Sequence, residues 1–90
     1  MNQVIFDQDN IKLYYLSPYV QVKFFLDDTI VFSLLTNVTL RISLPNMREL
    51  FHKLEIGITY NELFDWLRIN TSEPNPKAWI QTLFDYKVIE

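Results

Sequence analysis

Cysteine is absent from this chain of 90 residues, glycine and histidine each occur once, and no apolar run approaches the length of a membrane span. Each absence removes a class of chemistry. Without cysteine there is no disulfide framework, thiolate nucleophile or zinc–thiolate site, a composition that suits the cytoplasm. A single glycine cannot build a phosphate-cradling loop, whose backbone must approach the anion closely at several positions. The one histidine, His52, falls between Phe51 and Lys53 with no partner at a useful spacing. Neither a nucleophile–base pair nor a histidine metal site is therefore expected. Asp7-Gln8-Asp9-Asn10 lacks the glycine and terminal glutamate of a calcium loop and reads as a solvated turn. Residues 1–7 lack the basic start and long apolar stretch of a signal peptide. The expectation is a cytoplasmic, non-catalytic protein that needs no cofactor and no metal.

A net charge of −3 adds a further exclusion, because the overall field repels nucleic acid and anionic membrane. What the chain has in quantity is apolar and aromatic surface. Hydrophobic residues make up 49%, enough to pack one core, and the length allows only one. Seven Phe, five Tyr and two Trp are hard to bury completely in so small a domain, so some are expected on a contact surface.

The pattern of the chain changes once, at Leu44-Pro45. Before it, Val20, Val22 and Phe24 alternate with Gln21 and Lys23, which predicts a strand over 19–26. Asp27-Asp28 marks a tight turn, and a more buried strand follows over 29–35. After a turn at Thr36-Asn37, Val38, Leu40, Ile42 and Leu44 alternate with Thr39, Arg41 and Ser43 as a third strand. Two hairpins make an antiparallel meander.

Beyond Pro45 the apolar spacing becomes helical. Met47, Leu50, Phe51 and Leu54 predict a first helix over 45–55, with Ser43 as its N-cap and Gly57 as its stop. Thr59 and Glu62 form a capping box for a second helix over 60–68, whose apolar stripe is Leu63, Phe64 and Leu67. A polar loop over 70–75 leads to Asn75-Pro76, a good N-cap and first-turn pair, and a third helix through Tyr86. Val88-Ile89 reads as an apolar tail returning to the core. Residues 1–18 form an N-terminal arm whose pairing is open, since 11–16 has strand character but Pro18 separates it from the next strand. The fold expected is α+β and winged helix-turn-helix-like, a three-stranded antiparallel sheet followed by three helices, with residues 19–90 as the domain proper.

That scaffold often binds DNA, but a recognition helix needs Arg, Lys, Asn or Gln aimed at bases and phosphates. The third helix offers only Lys77 and Gln81, with Lys87 just beyond, among Trp79, Ile80, Leu83, Phe84 and Asp85. The third strand offers something else. In a meander its outer edge is unpaired unless covered, and Arg41 is its only internal charge. Such an edge accepts an extended peptide as an added strand. At ~100° per residue, Trp79, Leu83 and Tyr86 point toward the expected core, while Lys77, Ile80 and Phe84 lie on a flank able to wall a groove. An apolar flank with a lysine suits an amphipathic guest carrying acidic residues.

In these positions the chain resembles the PqqD-like domains that recognise precursor peptides of ribosomally made peptide natural products. Leu16-Ser17-Pro18 is similar to the family's opening, and Arg41-Ile42-Ser43 stands at the end of its third strand. Leu50-Phe51 falls at the spacing of its first helix, and Thr59-Tyr60-Asn61-Glu62-Leu63 resembles the start of its second. Trp79-Ile80, Leu83 and Val88-Ile89 resemble its closing segment. The likeness spans residues 16–90 and departs at Asn46 and Lys87, where the family frequently has glycine. It implies a leader peptide bound beside the third strand and against the third helix, and delivered to a separate modification enzyme. By carry-over the contacts would be Val38, Thr39, Leu40, Arg41, Ile42, Lys77, Ile80, Gln81 and Phe84. The alternatives are a winged-helix DNA-binding or adaptor protein, and a subunit that only holds an enzyme together.

Overall fold

Alternating apolar and polar residues produce the expected meander. In the computed structural model, which describes residues 12–90, the elements run β1 (Leu13–Tyr14), β2 (Val20–Phe24), β3 (Thr29–Ser33), β4 (Val38–Ile42), α1 (Met47–Ile56), β5 (Ile58–Thr59), α2 (Tyr60–Asn70) and α3 (Pro76–Asp85). Strands β2, β3 and β4 form an antiparallel sheet in that order, and three helices follow it. Pairing of Val22 with Val31 and of Val31 with Leu40 aligns one apolar face toward the helices. On the other face Lys23, Ile30 and Arg41 form a row, next to Gln21, Phe32 and Thr39. The strands are shorter than the alternation alone suggests because residues 25–28 and 34–37 are taken up by turns.

Met47, Leu50, Phe51 and Leu54 are buried along one side of α1, and Phe24 of β2 meets the Phe51 ring edge-on at 6.1 Å. The start of α1 departs from the expected one. Ser43 is not its cap, because its hydroxyl donates to Asp28 at 2.6 Å. The helix begins after Asn46, which adopts a left-handed conformation (φ 64) and contributes no side-chain cap. Gly57 ends α1 as expected, its N–H bonded to the Lys53 carbonyl.

The capping box at Thr59 and Glu62 opens α2, and Asn75 caps α3 through Ala78 N–H with Pro76 in the first turn. α2 runs to Asn70, past the expected end at 68, because side chains satisfy its last carbonyls. Asn70 Nδ2 donates to the Trp66 carbonyl and Thr71 Oγ1 to that of Leu67. α3 ends without glycine. The Lys87 N–H bonds to the Phe84 carbonyl and the Val88 N–H to that of Leu83, with Lys87 left-handed at φ 59. This is the Schellman arrangement, completed by burial of both Leu83 and Val88.

The arm is built into the domain from residue 12 onward; its earlier residues and the expected turn at Asp7–Asn10 lie outside the described ones. β1 pairs antiparallel with β5. Beyond it, Tyr15 and Glu90 exchange backbone hydrogen bonds, Leu16 N–H reaches the Leu54 carbonyl and Ser17 N–H that of Val88. Val88 and Ile89 are buried in the core as the sequence suggests.

Two backbone positions predict shifts of opposite sign. Lys87→Gly removes left-handed strain and should raise stability by about 0.5–1 kcal/mol. Gly57→Ala, at φ 113 and with a new Cβ 2.7 Å from Tyr15 Cε1, should lose about 1–3 kcal/mol. Urea midpoints at unchanged slope test both, and a destabilised Lys87→Gly would contradict the cap geometry.

Candidate functional site

In an antiparallel ladder successive residues direct their N–H and C=O groups alternately to one neighbour and the other. Leu34 N–H donates to the Tyr19 carbonyl and Phe25 N–H to that of Asp28, so both closing pairs of the β2–β3 ladder are hydrogen-bonded. Counting inward from them, Ile30 and Phe32 face β2, which leaves Thr29, Val31 and Ser33 to bond Ile42, Leu40 and Val38 of β4. The backbone groups of Thr39 and Arg41 therefore point away from β3. No strand pairs with β4 on that side among the described residues. The edge expected from sequence is thus a short one, one N–H and one C=O on each of two residues.

The side chains of β4 divide between the two faces of the sheet. Val38, Leu40 and Ile42 turn toward the helices, and Leu40 and Ile42 join the core. Thr39 and Arg41 are exposed on the outer face. Arg41 Nη2 lies 2.7 Å from Asp28 Oδ2, and Ser43 Oγ donates to Oδ1 of the same carboxylate. The guanidinium is 71% exposed while Asp28 is shielded to 23%, so this pair pins a side chain more than it stabilises the fold. The Arg41 and Ser43 hydrogen bonds, in that order, hold the Asp28 carboxyl below its usual range.

The third helix is rotated relative to the sequence-based assignment. Ile80 is 1% exposed and belongs to the core with Leu83, so it offers no surface to a guest. Phe84 is half-buried and meets the Tyr14 ring edge-on at 5.0 Å, so it packs on the arm and does not line a groove beside β4. Trp79 is half-buried and packs against the core as expected, whereas Tyr86, also expected there, is exposed. On the Phe84 side of α3, the Tyr14 ring of β1 covers the helix. Thr36 of the β3–β4 turn donates to the Tyr86 carbonyl, which ties this end of the helix to the start of β4. Lys77 and Gln81 are exposed, with Gln81 Nε2 held by Asp85 at 2.9 Å.

The structure therefore leaves the backbone groups of Thr39 and Arg41 at an open edge, while Ile80 is buried in the core and Phe84 is packed against Tyr14 and that core. Sequence reasoning missed Asp28, although the hairpin register places it opposite Ser43 and diagonal to Arg41. Among the described residues no group of three or more His, Cys, Asp or Glu is placed to hold a metal ion, and no helix is long and apolar enough to cross a membrane. No family model, no curated protein and no solved structure matches this chain.

The network predicts a pH dependence. The Asp28 pKa is lower in the folded chain than its unfolded 3.8. Its contribution to stability is complete above that value and is lost as pH falls through the lower, folded one. In Arg41→Ala the Asp28 carboxyl should titrate closer to 3.8, followed by carboxyl-carbon NMR. An unmoved titration would mean that Arg41 does not set it.

Proposed function

We propose that this domain is a non-catalytic peptide-recognition module that binds an extended segment as a fourth strand along β4. The observation that carries the proposal is the pair of outward-facing residues, Thr39 and Arg41, on an edge that no described strand covers. Backbone groups at such an edge bond a guest whatever its sequence, and neighbouring side chains select it. The hydrogen bond from Thr36 of the β3–β4 turn to the Tyr86 carbonyl brings the end of α3 near the start of β4. Exposed Lys77 and Gln81 contribute polar contacts further along the helix.

The guest we propose is the leader of a precursor peptide, held for a separate modification enzyme in the cytoplasm, as the PqqD-like resemblance implies. The same resemblance leads us to read the sheet and the α2–α3 pair as winged helix-turn-helix-like. A net charge of −3 favours a peptide over a nucleic acid as the guest.

Proline scanning of β4 separates edge from interior. Thr39→Pro deletes an N–H that faces outward and should leave the fold cooperative while weakening leader binding at least about tenfold, a loss of roughly 1.4 kcal/mol. Leu40→Pro deletes a bond to β3 and should disrupt the sheet itself. The measurement is titration with the leader encoded beside this gene, by anisotropy and by amide NMR. Thr39→Pro binding as tightly as the parent, or unshifted amides at Thr39 and Arg41, would refute strand addition. A gel shift with random DNA at low salt, without leader binding, would replace the peptide by a nucleic acid.

A further inference from the structure

A recess opens where the free edge of β4 ends. The hairpin residues from Phe24 to Thr29 and the chain from Arg41 to Arg48 enclose a cleft of about 790 Å³. Part of its lining is apolar and unusually open, since Phe25 is 60% and Leu26 98% exposed. Large side chains left in water at a concave surface mark a place where apolar groups bind.

The charges around the cleft are unequal in availability. Arg41 and Asp28 satisfy one another. Arg48 lies with its guanidinium carbon 4.5 Å from the centroid of the Phe24 ring and has no carboxylate partner among the described residues. Stacking on the ring holds this cation in place with its donors unspent, the state in which arginine takes a carboxylate through two parallel hydrogen bonds. Asp27, on the hairpin, has no ion-pair partner among the described residues and disfavours a second anion on that side. Asn46, with no side-chain cap for α1, adds the positive end of a helix to the Arg48 side.

We propose that the cleft seats an anchor of the same guest that lies along β4, namely an acidic residue next to a bulky apolar one. The acid meets Arg48 and the apolar side chain covers Phe25 and Leu26. Arg41 belongs to both surfaces, with its backbone on the edge and its side chain in the lining. The cleft lies where β4 closes, so the anchor sits beyond the guest residue paired with Arg41. This inference rests on the strand-addition reading and specifies its guest.

The test is selection of a random peptide library on phage, in parallel against the parent domain and Arg48→Glu, an exposed position whose variant loses the stack on Phe24 and should still unfold cooperatively at a Tm within a few degrees of the parent. The parent should enrich an Asp or Glu beside Leu, Ile or Phe at one end of the peptide. Arg48→Glu should lose that preference or exchange it for Lys, and bind the parent's best peptide about tenfold more weakly. With that peptide, the amides of Thr39 and Arg41 should shift together with those of 25–28 and 44–48. If Arg48→Glu selects the same sequences and only the edge amides move, the cleft anchor is wrong and strand addition survives. Cleft shifts without edge shifts, or no binders at all, would overturn both.

Discussion

Residues 34–37 turn the chain with Asn37 in the left-handed region at φ 56, and so pair Ser33 with Val38 and Thr29 with Ile42. Everything that distinguishes one side of β4 from the other follows from that register. Side chains repeat every second residue, so a slip by one would bring Thr39 and Arg41 into the core and carry Leu40 and Ile42 into water. Backbone groups obey the same period. Burial of Leu40 and Ile42 therefore commits the N–H and C=O of Thr39 and Arg41 to the open edge. The apolar pattern of β4 selects at once which side chains are hidden and which peptide groups remain unspent.

How far this was legible in the sequence depended on the range of the interactions involved. Thr59 with Glu62, Asn75 with Pro76, and Gly57 act within a few residues of themselves, and each ends or begins a helix where its chemistry predicts. Ser43 has the same local credentials as a cap, yet its hydroxyl is claimed by Asp28 across the hairpin. A cap competes with every other acceptor that folding brings near, and sequence spacing does not reveal the competitors. The face of α3 failed for a related reason. Its apolar arc runs from Tyr86 through Trp79, Leu83 and Ile80 to Phe84, and the buried centre falls on Leu83 and Ile80 with Trp79 and Phe84 half-buried on either side. On the Phe84 side it meets Tyr14, on a strand of two residues whose partner β5 lies more than forty residues away. A segment that short has no periodicity to read.

The charged residues near the edge limit what β4 can join. Long, flat, apolar edges invite uncontrolled pairing between copies. Here the edge is only a few residues long, and Arg41, held by Asp28 and Ser43, keeps a charged head on the outer face beside it. A second copy of β4 would bring a second Arg41 close to the first, whereas a guest with neutral or acidic side chains meets no such penalty. The same pair removes Arg41 from competition with Arg48, which has no carboxylate partner among the described residues.

For a guest added to β4 as proposed, energetics decide where recognition would have to reside. Thr39 and Arg41 present four backbone groups, and a hydrogen bond contributes a net of about 0.5–1.5 kcal/mol, so the edge supplies roughly 2–6 kcal/mol. Association costs about 4–15 kcal/mol in lost translational and rotational freedom. Backbone pairing therefore orients a guest without being able to hold it. The remainder has to come from side-chain burial, at about 1.5–3 kcal/mol for each well-covered Leu or Phe. The inward side chains of β4 cannot provide it, because Leu40 and Ile42 already pack against the domain's own core. For the proposed guest, affinity and selectivity would accordingly have to come from beyond the edge itself, as from Phe25, Leu26 and Arg48 where β4 closes.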